Sequence, residues 1–209
     1  MGGLSAAQLD AVTIDAYGTL VTLVDPVPSL TAALAERGFE RDREVVDAGF
    51  RTEAGHYASH SFEGHDEPGL ARLQRDCAQV FLSAVGAALD AEEFAPVYVG
   101  TMQFDVLPGV PAALERLRAL GLELAVVGNW DLTLHRRLEE TGLRRYFSAV
   151  AHAARKPQPD ALLATLSQLG VEPSRALHVG DDDVDEQAAR AAGMHFAAAP
   201  LATAVAALA

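Results

Sequence analysis

Residues 11–22 read AVTIDAYGTLVT: an apolar run ends at Asp15 and gives way at once to a Gly18-Thr19-Leu20 turn. Such a run reads as a buried parallel strand, because helices covering both faces of a sheet leave no polar alternation. A carboxylate at the strand's C-terminal tip sits where open α/β sheets place their chemistry. Asp15 is therefore a candidate nucleophile on a rigid element, and the glycine turn lets backbone amides approach a substrate. An Asp that ends a strand can also do no more than start a turn. The rest of the chain has to decide between these readings.

Three further segments, in order, supply the partners such a carboxylate needs. Leu122–Trp130, LELAVVGNW, is an apolar strand ending in Gly128-Asn129. Arg155-Lys156-Pro157 places a cation just before a helix. Ala176–Asp185, ALHVGDDDVD, is an apolar strand running into a carboxylate cluster.

Together the four segments resemble the haloacid dehalogenase (HAD) superfamily of hydrolases. In that family an Asp after the first strand forms a covalent intermediate, and Asp15 matches it within the pattern D-x-Y-G-T-L. The family's lysine before a proline matches Lys156, and its GDxxxD matches Gly180, Asp181 and Asp185. The resemblance runs from Val12 to Phe196. It implies an α/β fold, with a Rossmann-like parallel-sheet core over 1–20 and 106–209 and a helical cap domain over 21–105.

The alternation of elements agrees with that core. Strands are expected at Val12–Ile14, Leu122–Val127, Ala149–His152, Ala176–Val179 and His195–Ala198. Helices are expected at Val110–Leu120, Leu132–Thr141, Pro159–Leu169 and Glu186–Ala192, several of them closed by a glycine. A terminal helix falls within Ala197–Ala209. Repeated β-α units imply a parallel sheet with right-handed crossovers. Between Leu20 and Val106 the pattern changes: apolar residues take helical spacing in Leu30–Ala35 and Leu70–Val85, punctuated by Pro26, Pro28, the 61–69 region and Pro96. In the resembled family a helical cap at this position closes over the active site, where it excludes water and carries specificity groups.

Composition sets bounds. A chain of 209 residues with 50% hydrophobic content suits one core domain plus a modest insertion. The formal net charge of −13 argues against general nucleic-acid or membrane-surface binding. The expected partner is a small-molecule substrate, anionic in character, and the chain is expected to be a monomer or homodimer. A single cysteine, Cys77, excludes an internal disulfide and reads as a small core residue. With no segment resembling a targeting signal or a bilayer span, the expected location is cytoplasmic.

The carboxylates Asp181 and Asp185 cannot all be ionised near Asp15 without compensation. A hard cation with oxygen ligands, Mg²⁺, answers that need. By resemblance it is held by Asp15, the backbone carbonyl of Tyr17 and Asp181, while Asp185 holds the metal's waters or Lys156. The competing reading of Gly180–Asp185 is an acidic surface turn. Lys156 is expected to pair with Asp15 and neutralise transferring oxygens. Thr19 and Asn129 are expected to donate hydrogen bonds around the site, or else to cap a helix or a turn. His56 and His60, four apart with His65 nearby, read as cap side chains facing the cleft rather than a zinc site. Trp130 reads as packing or cleft wall.

Two positions depart from the family's phosphatase pattern. Tyr17 stands where phosphatases carry a second Asp, the general acid that protonates a leaving alcohol. Gly128 stands where Ser or Thr is usual, offering a backbone N–H but no hydroxyl. Tyr at position 17 is what the 2-haloacid dehalogenase branch shows, yet Leu162 stands where that branch has a Tyr, and its last motif lacks this run of acids. The expected function is Mg²⁺-dependent phosphoester hydrolysis through an aspartyl intermediate. The alternatives are 2-haloacid dehalogenation and a catalytically weak binding protein on the same fold.

Overall fold

The computed structural model describes residues 4–208. Its central feature is a five-stranded sheet in which the strand first in the sequence order, β1 (Ala11–Ile14), lies in the middle. After β1 come β2 (Val21–Leu23), then the helices α1 (Val27–Ala35), α2 (Arg43–His60), α3 (Glu67–Val85) and α4 (Ala91–Gly100), then β3 (Phe104–Val106). The alternating part follows: α5 (Val110–Ala119), β4 (Glu123–Val127), α6 (Leu134–Glu140), β5 (Ala149–Ala151) and α7 (Asp160–Leu169). It ends with β6 (Ala176–Gly180), α8 (Asp183–Ala192), β7 (His195–Ala198) and α9 (Leu201–Ala206).

The sheet order is β5-β4-β1-β6-β7, and every pairing is parallel. The chain leaves β1 to build β4 and β5 on one side, then crosses to build β6 and β7 on the other. The order thus reverses beside β1, and in a parallel sheet such a switch opens a crevice at the strands' C-terminal ends. Register fixes what meets there: Ile14 lies opposite Val179, and the Asp15 N–H donates to the Val179 carbonyl at 2.9 Å. The residues just after β1 and just after β6 are therefore neighbours.

Burial explains the continuous apolar runs. All four residues of β1 and all five of β6 are buried, whereas the edge strand β7 is half-exposed. Leu162 and Leu166 of α7 and Ala188, Ala189 and Ala192 of α8 pack with Ala11, Val127 and Ala176 in one cluster. Small alanines let α8 lie close to the sheet. Helices α5 and α9 pack on each other.

The contacts divide the chain into two compact units, Met1–Thr22 with Asp105–Ala209, and Leu23–Phe104. Strands β2 and β3 form a separate two-stranded sheet. The second unit is helical, with its own core of Leu30, Leu34, Val46, Phe81, Leu82 and Phe94 among others. Among the described residues no helix is long and apolar enough to cross a membrane.

Several expected boundaries move. Helix α8 begins at Asp183, not Glu186, because the Asp185 side chain accepts from the Asp182 N–H and acids at a helix start suit its dipole. Helix α6 is shorter than 132–141. Pro96 lies inside α4 rather than between elements. It sits on the exposed face, and the carbonyl it leaves unbonded belongs to exposed Glu92, which water can serve.

Helix α2 has a buried stripe of Val46, Gly49 and Glu53, so its helical spacing carries almost no hydrophobic signal. Glu53 is 5% exposed and accepts a hydrogen bond from the Tyr98 hydroxyl at 2.6 Å. Burial raises the Glu53 pKa, against the Tyr98 and Cys77 contacts that lower it. A native pKa above the unfolded value of 4.5 gives stability that is full below pH 4.5 and lost as pH rises through the native value. Glu53→Gln keeps an acceptor for Tyr98 and removes the buried charge. In urea unfolding, the variant's stability relative to wild type should therefore rise with pH above 4.5. A pH-independent difference would contradict this assignment.

Candidate active site

The turn after β1 is shaped by Gly18, whose φ of +79° suits glycine and whose missing Cβ matters more. A Cβ there would lie 2.0 Å from Asp181 Oδ2. Gly180, at the end of β6, does the same for the neighbouring acid: a Cβ would fall 2.4 Å from Asp185 Oδ2. The two glycines of the motifs thus clear space for the two carboxylates.

Lys156 is buried and its ammonium donates to three acceptors. These are Asp15 Oδ1 at 2.5 Å, Asp185 Oδ1 at 2.6 Å and the Val127 carbonyl at 2.9 Å. All three ammonium hydrogens are engaged in this arrangement, so the lysine acts on the site by charge. Asn129 holds the lysine in place: its Nδ2 donates to the Lys156 carbonyl at 3.1 Å, and its Oδ1 accepts from the Lys156 N–H at 2.9 Å. The expected donation by Asn129 is thus directed at the Lys156 backbone. Thr19, also buried, donates from Oγ1 to Asp181 Oδ1 at 3.3 Å.

The expectation for Gly128 is corrected. Its N–H donates to the Ala151 carbonyl at 3.0 Å, extending the β4–β5 ladder, and is not on offer to a substrate. The acid run also divides. Asp181 and Asp185 turn toward Asp15, whereas Asp182 precedes α8 as its N-cap and Asp183 is exposed. The surface-turn reading describes Asp182 and Asp183; Asp181 is exposed as well, but its carboxylate lies with those of Asp15 and Asp185. Tyr17 keeps its side chain 53% exposed. Trp130 is buried and donates to Thr133 Oγ1 at 3.2 Å, a packing role.

Burial pushes the Asp15 carboxyl up to about 6, with Asp185 adding to the rise and the Lys156 ammonium opposing it. Burial also acts to raise Asp185, but the His178 and Lys156 contacts outweigh it and hold that carboxyl at about 2. Burial and the charge on Asp185 raise Asp181. Desolvation would lower Lys156, and its two carboxylate partners reverse that and raise it. Three carboxylates against one ammonium leave two negative charges, with one oxygen from each of Asp15, Asp181 and Asp185 lying within 4.8 Å of the others. Hard oxygen donors of that charge and spacing suit a divalent hard cation. His56 and His60 are in no such group among the described residues. Their rings stack at 4.2 Å, and His60 Nδ1 lies 2.8 Å from the His56 carbonyl.

Sequence reasoning missed His178. It is wholly buried in β6, with Nε2 3.2 Å from Asp185 Oδ1 and Nδ1 2.8 Å from Thr13 Oγ1. The signal was present: a lone histidine inside an apolar strand must find partners for both ring nitrogens.

The fold and these groups define a doubly wound α/β domain of hydrolase type, with its carboxylates and lysine gathered at the sheet's switch point. The chain belongs to the haloacid dehalogenase-like hydrolase family, whose model matches residues 9–193. It is 34% identical over 191 residues to phosphoglycolate phosphatase 1 of Pseudomonas aeruginosa, covering 85% of this chain and 65% of that protein. The chain therefore spans just under two thirds of that relative's length. It is 32% identical over 203 residues to haloacid dehalogenase-like hydrolase domain-containing protein 3 of Homo sapiens, covering 90% and 80%. Among solved structures it resembles L-2-haloacid dehalogenase from Xanthobacter autotrophicus with chloropropionic acid covalently bound. That match has a TM-score of 0.65 at 23% identity over 94% of this chain and 81% of the other. This last likeness is one of fold.

Proposed function

We propose that the chain hydrolyses phosphoesters of small anionic molecules, through an aspartyl-phosphate on Asp15 and with Mg²⁺ as cofactor. The observation that carries this reading is the grouping of Asp15, Asp181 and Asp185, two of which, Asp15 and Asp185, pair with one buried lysine. Similarity to a protein named phosphoglycolate phosphatase supports it. Asp15, the Tyr17 carbonyl and Asp181 would hold Mg²⁺, and Asp185 belongs to Lys156. When bound, the cation supplies positive charge beside the transferring oxygens.

The chain's own residues do the rest. The Asp15 carboxylate attacks phosphorus, forming an O–P bond as the ester O–P bond breaks and the leaving oxygen keeps the electron pair. Water then attacks the same phosphorus as the Asp15 O–P bond breaks. One of the water's protons stays on the released phosphate, the other passes through solvent to the departed oxygen, and the Asp15 carboxylate is restored. Lys156 lowers the cost of charge gathered beside Asp15, and Thr19 holds Asp181.

Tyr17 is the observation that favours 2-haloacid dehalogenation as a second reading. Leu162 opposes it, being wholly buried in the cluster of α7 and α8. A panel of aryl, acyl and alkyl phosphates and 2-haloacids, with and without Mg²⁺, separates the two. The expected result is phosphate release that requires Mg²⁺. Chloride release without Mg²⁺ would sink the phosphatase reading. In calorimetric titration Asp181→Asn should weaken Mg²⁺ binding at least about tenfold. Equal binding by the variant would remove Asp181 from the site.

A further inference from the structure

We propose that His178 is a positioning residue for this hydrolysis: the Thr13 hydroxyl locks its ring as the Nε2–H tautomer, and the ring then fixes the Asp185 carboxylate that holds Lys156 on the nucleophile. The proposal rests on the hydrolytic reading only for its kinetic arm.

The geometry begins with register. Strands β1 and β6 pair in parallel with Thr13 directly opposite His178, and both residues are wholly buried. Central strands of a parallel sheet normally carry apolar residues there, because an unsatisfied polar group costs free energy. Here each polar group has a partner. Asp185 bears only acceptors when ionised, so the proton of the 3.2 Å contact sits on His178 Nε2. A neutral ring then has a lone pair on Nδ1, and the Thr13 hydroxyl, 2.8 Å away, donates into it. Burial, with the Lys156 charge adding, holds the ring's pKa below its ordinary value, against Asp185 and a Thr13 backbone hydrogen bond that act to raise it.

The result is a chain of hydrogen bonds with one direction. Thr13 donates to His178, and His178 donates to Asp185 Oδ1. Lys156 donates to that same oxygen and to Asp15, and the Asp182 N–H donates to Asp185 Oδ2. Both carboxylate oxygens of Asp185 are thereby fixed. Without His178, Oδ1 keeps one donor, the lysine ammonium, and Oδ2 keeps the Asp182 N–H, so the carboxylate is held by one bond fewer and the ammonium it shares with Asp15 is less well placed. His178 touches no reacting atom and acts through Asp185.

The test uses the full chain. In ¹⁵N-histidine NMR, wild-type His178 should show one protonated nitrogen, Nε2, and an unprotonated Nδ1, and Thr13→Val should disturb that pattern. With p-nitrophenyl phosphate and Mg²⁺, His178→Leu and Thr13→Val should each lower kcat about tenfold at nearly unchanged KM, since outer partners typically cost 10- to 100-fold. His178→Gln, whose amide N–H can reach Asp185, should recover part of the loss. A proton on Nδ1 in wild type overturns the proposal, as does wild-type kcat in His178→Leu. Should His178→Leu fail to fold, Thr13→Val decides, because valine matches threonine in shape and strand preference. If wild type releases no phosphate from any phosphoester, the hydrolytic reading fails and the tautomer alone decides the role of His178.

Discussion

Asp15→Asn should lower phosphate release by about 10⁴-fold or more on aryl, acyl and alkyl phosphates alike, because an amide is a poor nucleophile and loss of a covalent nucleophile costs on this scale. The substitution is nearly isosteric. Lys156 keeps Asp185 and the Val127 carbonyl as acceptors, so the ammonium is not stranded. Burial already works against the charge on Asp15, and removing that charge should leave the melting temperature close to wild type. A thermal melt beside the phosphate assay therefore separates loss of chemistry from loss of fold. Equal activity in wild type and variant would exclude covalent catalysis and leave the binding-protein reading standing.

Tyr17→Asp should act in the opposite direction and selectively. The wild-type turn lacks the carboxyl that would protonate a departing alkoxide, so wild type should favour aryl and acyl phosphates, whose leaving groups depart unprotonated. Supplying the acid should raise kcat on alkyl phosphates about 100-fold, the lower end of what general acids contribute, and change aryl phosphates far less. The exposed Tyr17 side chain contributes little packing, so the fold should tolerate the change. Equal effects on both substrate types would show that the leaving group is not protonated from this position. A dehalogenase would respond by losing halide release, since a second carboxylate would then stand beside the nucleophile.

Much of the core was legible because its strands are largely buried on both faces and read as runs that are mostly apolar, with one polar residue each. Val12–Ile14, Leu122–Val127 and Ala176–Val179 are of this kind. Asp15 and Asp181 were legible because they close such runs, and Lys156 because it precedes a helix; Asp185, inside the first turn of α8, was legible only from its spacing to Asp181. What escaped was whatever depends on a partner distant in sequence. The Gly128 N–H reads as available until Ala151 is seen to take it, and Asn129 reads as a donor around the site or a cap until its amide is found on the Lys156 backbone. His178 was hidden within an apolar strand whose pattern it scarcely disturbs. Helix α2 was hidden for a different reason: a stripe of Val46, Gly49 and Glu53 has helical spacing without helical hydrophobicity.

Placing the first strand at the centre of the sheet has a consequence for the order in which the molecule can be made. Lys156 lies 141 residues after Asp15, about 7–28 s of synthesis. β6 follows later still, so one edge of β1 waits unpaired while the rest of the chain emerges. In that interval the helices of 23–104 can collapse on contacts that are local in sequence, whereas the sheet must wait for its distant partners. An open β1, whose four residues are all buried in the folded chain, presents unpaired backbone groups and is a ready template for another chain. Ribosome-bound chains halted before residue 176 should therefore hold a folded helical segment beside an aggregation-prone strand. Emergence of β6 and β7 would then close the sheet and bring Asp15 together with Lys156, Asp181 and Asp185.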